Sequence, residues 1–296
     1  MKLSDFVDCN LEIERDCDFD SLIKASDVFN ARAITFIENE DYINEALNNK
    51  SIVGIITKKK YSKQVNNVKR LGLAYSETPK ASFIKINNMI RCCHETTKIG
   101  NGCKIVPSAE ISSIGVIIGD NVVIEDKACI YPGTIIGSNC IIGRQSVIGG
   151  DCYERCVDEN GNHIIAKHKG GVIIGNNVLV DQDAVIDKAL FDWDYTEIHD
   201  KCYIGQGAYI AHGCKLLDGV CVYPRAFLCG NVVVGQKSKI GIGAIVANRI
   251  HIGYAADIKL GSVVTKDVED NSSVSGNFAI PHHTLIEIVK NLSNKK

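Results

Sequence analysis

Neither sign of charge dominates this chain of 296 residues: 33 Lys and Arg stand against 35 Asp and Glu, a formal net charge of −2. A general nucleic-acid binder would need a basic stripe that is absent here, and the short run Lys58 to Lys60 reads as a solvated turn. Long apolar segments, a signal-peptide pattern and lipidation motifs are also missing. Membrane insertion is therefore not expected, and a cytoplasmic location is the expectation. Cysteine is plentiful, with 13 residues, yet its placement does not read as a disulfide framework. The 45% apolar content is enough for the core of one large domain or two modest ones.

What the sequence does have is a period. From Ile174 to Val264 an aliphatic residue returns every sixth position, through Ile186, Ile198, Ile210, Val222 and Val234, and only Asp192 breaks the series. A fixed short repeat over such a length marks a solenoid, because one repeat cannot bury its apolar face alone and must stack on its neighbours. Earlier hexads run Ile99, Ile105, Ile111 and then, after one extra residue, Ile118 to Ile148. Three hexads make one triangular coil, so residues 18 apart stack at about 4.8 Å, and the hexads suffice for about eight coils. Cys103, Cys140, Cys202 and Cys214 each fall four residues after an aliphatic position, a slot shared with Ala208, Ala226, Ser238 and Ala244. These thiols read as small inward-facing core residues in a reducing compartment.

Three regions follow. Residues 1–92 lack the hexad and mix helix-like stretches with apolar runs such as Ile52 to Ile56, the pattern of a small α/β domain. Residues 93–280 carry the solenoid, interrupted by an excursion from Gly149 to Gly171 whose tip, Asp158-Glu159-Asn160-Gly161-Asn162, suits a hairpin. Residues 281–296 hold a short helix in which Thr284 and Glu287 form a capping box and Leu285, Ile288, Val289 and Leu292 share one face. That face is expected to pack either on its own chain or between subunits.

Several segments carry a resemblance. Ile118-Gly119-Asp120-Asn121 and Ile136-Gly137-Ser138-Asn139 look like the hexapeptide repeat of left-handed β-helix acyltransferases. Ile34-Thr35-Phe36 with Asn39 and Tyr42, His168-Lys169-Gly170-Gly171, Ile186-Asp187-Lys188-Ala189-Leu190 and Ile210-Ala211-His212 follow one another as in the UDP-3-O-acylglucosamine N-acyltransferases of lipid A biosynthesis. Nearly the whole chain resembles that family. The resemblance implies a mainly β fold: a left-handed parallel β-helix with an N-terminal α/β nucleotide-binding domain and a C-terminal helix, assembled as a homotrimer.

His212 is the first candidate for chemistry, because imidazole suits proton removal near neutrality and a turn two residues past Ile210 can project it outward. On its own it could equally be a structural histidine; the resemblance implies a catalytic base. Gly230, 18 residues on, lies one coil along the same edge, where the resembling enzymes use a glycine amide to hold the oxyanion and where glycine otherwise simply fits the turn. Asp194, 18 residues before, is the candidate to orient the imidazole, with Asp192 as its rival. Phe36, Asn39 and Tyr42 offer aromatic faces and an amide edge suited to a uracil ring, and by resemblance are the uridine-binding positions.

Cys152, Cys156, His163 and His168 loosely fit zinc-ligand spacing, but the resembling enzymes carry such a hairpin without metal, and no metal is expected. A γ-carbonic-anhydrase reading would need three histidines converging between subunits, and His199, His212 and His251 lack its spacing. The chain departs from the family at Cys152-Tyr153-Glu154-Arg155 and at Asn248-Arg249, both expected near donor-binding surfaces. A charged Glu154-Arg155 lining argues for an acyl group shorter than a long 3-hydroxyacyl chain.

The expectation is an N-acyltransferase that moves an acyl group from an acyl carrier protein or coenzyme A thioester to the amine of a UDP-linked amino sugar, with no other cofactor. An acetyl-CoA-dependent sugar N- or O-acetyltransferase of surface polysaccharide synthesis is the enzymatic alternative, for which Gly261 to Val268 also looks typical. A non-catalytic protein that binds a nucleotide sugar or scaffolds a complex is the alternative of another class.

Overall fold

The structure is a computed structural model and describes residues 1–27, 29–91, 94–276 and 281–293. The first element of architecture is a five-stranded sheet, in the order β1 (Glu12–Arg15), β5 (Gly72–Tyr75), β4 (Ile52–Thr57), β3 (Ala33–Ile37) and β2 (Ser21–Leu22). Strands β2 to β5 run parallel and β1 is antiparallel at the edge. The central strands read Ala-Ile-Thr-Phe-Ile and Ile-Val-Gly-Ile-Ile-Thr, near-continuous apolar runs of the kind a parallel sheet covered on both faces needs. Helices α1 (Ile43–Asn48), α2 (Ser62–Val65) and α3 (Pro79–Met89) connect or flank the strands. Pro79 opens α3 where its missing N–H has no intrahelical partner to lose, and Ala81, Phe83, Ile84 and Ile86 are buried.

Beyond residue 97 the chain winds through three parallel sheets of nine, eight and eight strands. Each hexad contributes one two- to four-residue strand whose aliphatic residue points in, and Ile124, Ile142, Val180, Ile204, Ile210 and Leu228 have no exposed surface. Each such side chain contributes about 1.5–3 kcal/mol by burial, so the stack is held by many equal increments. Ile124 pairs with Ile142 and Ile198 with Leu216, the 18-residue coil expected from the period. Ile99 pairs instead with Ile118, which accounts for the one extra residue in the early hexads. The chain turns on the third residue after each aliphatic, where Asn121, Asn139, Asn177, Gly207 and Gly213 take a left-handed φ that glycine and asparagine tolerate best.

The four cysteines in the small slot point inward. Cys140, Cys202 and Cys214 are fully buried, Cys103 packs against the same core, and the Cys214 and Cys202 thiols lie 3.1 and 3.2 Å from the carbonyls of Cys229 and Leu217. Burial pushes both of these thiols up to about 12, which leaves them unreactive.

Two insertions leave the stack. Between Val147–Gly150 and Gly171–Ile174 a hairpin pairs Arg155–Val157 with His163–Ile165, closed by Asp158, whose Oδ1 accepts the amides of Asn160 and Asn162. It is pinned to α3, for Asn87 and Asn88 donate to the carbonyls of Lys167 and Ile165. The second is the arm around Asp192. Ile174 pairs with Ile198 and Ile186 with Ile210, 24 residues apart instead of 18, so six residues loop out. Leu190 and Phe191 are buried in the core of the N-terminal sheet, Trp193 Nε1 donates to the Leu22 carbonyl at 2.9 Å, and Ser21 Oγ donates to Asp192 at 3.1 Å. The broken rung is thus the point where the β-helix reaches out and fixes its position against the first sheet.

The C-terminal helix α4 runs His282–Ser293. It starts directly after Pro281, so Thr284 and Glu287 lie within its first turns and do not form the expected capping box. Ile288 is exposed; the Leu285, Val289 and Leu292 side chains of the expected apolar face lie outside the described residues.

Candidate active site

His212 follows the strand Tyr209–Ile210, on the second residue past the inward aliphatic. The same slot holds proline at Pro107, Pro132 and Pro224, so the β-ladder makes no use of its N–H. Gly230 occupies this slot one coil on, because Ile210 pairs with Leu228. Among the described residues its N–H has no hydrogen-bond acceptor, whereas its carbonyl takes the Arg249 amide at 3.0 Å. A Cβ on Gly230 would stand 2.5 Å from His212 Nε2 and 2.8 Å from Cε1. Glycine is required here by the approach of the imidazole, and the pair offers a nitrogen lone pair and a free backbone donor side by side.

The electrostatics keep that lone pair available. Burial, then the positive charge of Lys24 and the neighbouring His168, hold the His212 imidazole down to about 4, against the opposing pull of Glu154. At neutral pH the ring is uncharged and able to accept a proton. Asp194 lies on the neighbouring coil, as Glu197 pairs with Lys215 in the 18-residue register. Its Oδ1 accepts the Tyr195 amide at 2.9 Å, and burial raises its carboxyl. Its Oδ2 would lie 3.6 Å from a Cβ on Gly213, next to His212, yet no hydrogen bond joins Asp194 to the imidazole among the described residues. Asp192 is turned away toward Ser21. A buried cluster sits just behind: Tyr209 donates to Asp187, and Cys152 Sγ lies 3.8 Å from the Tyr209 hydroxyl.

Phe36, Asn39 and Tyr42 come together on one wall of a cavity of about 360 Å³ between the first sheet and the arm. Phe36 packs on Phe83 with 4.9 Å between ring centroids. Tyr42 is 44% exposed, and Asn39 precedes the Glu40–Tyr42 turn with its side chain making no capping hydrogen bond. Two aromatic faces and an uncommitted amide are thus open to a flat heterocycle. Phe191 and Leu190 of the arm line another side, while Lys24, Lys80, Glu154 and Arg249 supply charge. Lys24, Glu154 and Arg249 also act on His212, so cavity and histidine share neighbours.

From the sequence, Glu154 and Arg155 are expected together near a donor-binding surface. The structure shows Glu154 in this cavity, 2.6 Å from Lys80, with its carboxyl held below the ordinary range because Lys80 and Lys24 outweigh the effect of burial. Arg155 turns the other way, 2.8 Å from His163 Nδ1. The two charges thus do not line one surface together. Arg249 likewise lines this cavity. The zinc-spaced set spreads apart: His163 meets Arg155, Cys152 faces Tyr209, and His168 lies beside His212 with 5.7 Å between ring centroids. Lys24 is brought to His212 only by the fold and carries no motif in the sequence, and Lys80 reaches the cavity through its ion pair with Glu154.

Residues 115–150 match the family model of bacterial transferase hexapeptide repeats. Over that segment the chain carries repeats like those of the bacterial hexapeptide transferases. It resembles the UDP-3-O-acylglucosamine N-acyltransferases: that of Wolinella succinogenes is 28% identical over 165 residues, covering 56% of this chain and 51% of the relative. The chain thus spans about half the length of that relative. The Helicobacter pylori protein of the same name is 26% identical over 330 aligned positions, covering 100% of this chain and 96% of the relative. Among solved structures, the Arabidopsis UDP-N-acetylglucosamine acyltransferase superposes with a TM-score of 0.54 at 32% identity, covering 61% of this chain and 62% of that one. The Campylobacter jejuni UDP-N-acetylglucosamine acyltransferase, at 24% identity and a TM-score of 0.55 over 66% of this chain and 73% of that one, shares the fold. The coils of this chain form a left-handed parallel β-helix.

Proposed function

We propose that this protein is an N-acyltransferase that transfers an acyl group from a thioester carrier, acyl carrier protein or coenzyme A, to the amine of a UDP-linked amino sugar. The observation that carries the reading is the pairing of an uncharged His212 with the free N–H of Gly230, which shares Lys24, Glu154 and Arg249 with a cavity faced by Phe36, Asn39 and Tyr42. The names of the relatives support the acceptor and the reaction type.

Uridine binding by the aromatic pair and Asn39 places the amine, so that binding energy remote from the reaction fixes its orientation. His212 Nε2 takes a proton from the amine as nitrogen attacks the thioester carbonyl. The developing oxyanion accepts a hydrogen bond from the Gly230 N–H, a donor that needs no reorganisation. Collapse breaks the C–S bond, and the imidazolium returns its proton to the departing thiolate. Asp194, on the neighbouring coil, supplies negative charge beside the imidazolium when it is ionised.

The protein works as a homotrimer with sites between subunits. In support, Val185, Tyr209, Phe227, Ile245 and Val263 stack in register on the outer face of one sheet, and Phe227, Ile245 and Val263 are exposed. An apolar column of this kind calls for a partner surface. Light scattering coupled to size-exclusion chromatography should give three times 32.3 kDa; a monomer would remove the trimer from the reading. The activity itself is tested by offering acyl-CoA and acyl-carrier donors with a panel of UDP-amino sugars to the wild type and to His212→Ala. Loss of turnover with retained UDP binding supports the assignment, and unchanged transfer by the variant refutes it.

A further inference from the structure

His168 has no role in the scheme above, yet it is the most irregular polar group near the site. It closes the hairpin excursion, is 4% exposed, and makes no well-formed hydrogen bond at either ring nitrogen, with the Ala166 backbone a loose polar neighbour. Buried polar groups are rarely left in that condition, and each such group asks for a partner supplied in the working state. Its ring stands edge-on to His212 at 60°, with centroids 5.7 Å apart. An N–H···N hydrogen bond of about 2.9 Å would bring two imidazoles only slightly closer, so a small ring rotation connects them.

His212 needs such a partner. Nε2 is the nitrogen nearest a Gly230 Cβ, so it must carry the lone pair and Nδ1 the hydrogen. A base in this position works only if the other nitrogen is held in one tautomer, as carboxylates do in catalytic triads. Asp192 is engaged with Ser21 and Glu154 with Lys80, and Asp194, whose Oδ1 takes the Tyr195 amide, makes no hydrogen bond to the imidazole among the described residues. His168, ring to ring with His212, offers a buried acceptor that no other group uses.

We propose that His168 is a positioning residue: its ring accepts the Nδ1–H of His212 and so holds Nε2, unprotonated, toward Gly230. The proposal rests on His212 as the base. Burial keeps His168 itself uncharged, against the pull of Asp151 and Glu154 and with the help of Lys188, so that an acceptor nitrogen exists at neutral pH.

The test uses the full chain as wild type, His168→Leu, His168→Gln and His212→Ala. His168→Leu should lower kcat by about 10- to 100-fold, while KM for the UDP-sugar stays within about threefold. His168→Gln, whose amide oxygen can accept the same hydrogen, should recover at least about fivefold of that loss. Imidazole ¹⁵N spectra of the wild type should show His212 as a single Nδ1–H tautomer, a readout independent of turnover and of whether the leucine variant folds. Full activity in His168→Leu, equal impairment of the Leu and Gln variants, or a wild-type Nε2–H tautomer overturns the proposal. An active His212→Ala identifies a different failure, that of the base assignment itself, and takes the positioning role with it.

Discussion

Gly230→Ala is the perturbation that separates catalytic geometry from fold most cleanly. The glycine does not adopt a left-handed φ, so alanine can take its backbone conformation without strain. What the new methyl meets is the imidazole: 2.5 Å to His212 Nε2, 2.8 Å to Cε1 and 3.1 Å to Cδ2. Ordinary contact needs roughly 3.5 Å, so the ring must retreat by about 1 Å. A displacement of that size at a reacting group lowers the rate by about 10²-fold, and the methyl also obstructs the carbonyl oxygen at the amide donor. The fold should hardly notice, because the side chain that yields is at a turn and not in the stack; the loss in stability should stay near 1 kcal/mol or below. The assay is steady-state acyl transfer with calorimetric UDP binding and thermal melting on the same preparations. A kcat reduced by about 10²-fold, with UDP affinity and melting temperature nearly unchanged, is expected. An alanine variant with kcat within about threefold of wild type would refute the arrangement of base and oxyanion donor.

Three other outcomes follow from the structure. Phe36→Ala removes one aromatic face of the cavity and should weaken UDP binding by about 10-fold, read by calorimetry, with kcat at saturating sugar little altered. The imidazole of His212 is depressed to about 4, so its base form persists well below pH 6.5 and is lost only as pH falls through the folded value. The acid limb of kcat/KM for the free enzyme should accordingly lie nearer pH 4–5 than 6.5, and a limb at 6.5 that vanishes with the histidine would contradict this environment. By the same linkage, stability contributed by burying His212 uncharged is present above pH 6.5 and declines below it, as the unfolded chain takes up the proton first. Ile204→Ala, in a fully buried rung, should destabilise the protein by about 2–5 kcal/mol in denaturant unfolding.

The β-helix was legible because each rung needs one inward aliphatic and one small neighbour, so packing leaves its period directly on the chain. The same ruler located Gly230 beside His212 and both insertions. It failed where side-chain direction, not register, decides the contact. Asp194 is the expected coil neighbour of His212, but its Oδ1 is taken by the amide of Tyr195. Asp192 interrupts the hexads because Phe191 and Trp193 beside it are apolar side chains that pack against the first sheet, a tertiary demand with no periodic signature. Glu154, just before the first hairpin strand, meets Lys80 in the cavity, while Arg155, the strand's first residue, meets His163, so the two do not line one surface together. His168 stands in the sequence only in a resembling segment and a loose metal spacing; its neighbour His212 is brought to it by the winding of the coils.

The central claim is acyl transfer to an amine by His212. Intact mass spectrometry of the products tests it, with purified wild type and His212→Ala each given acyl-CoA and acyl-carrier donors and several UDP-amino sugars. The wild type should yield a UDP-sugar heavier by one acyl group and blocked at its amine, and the variant, which still binds UDP, should yield none. Equal product from both proteins, or none from the wild type with any pairing, would contradict it.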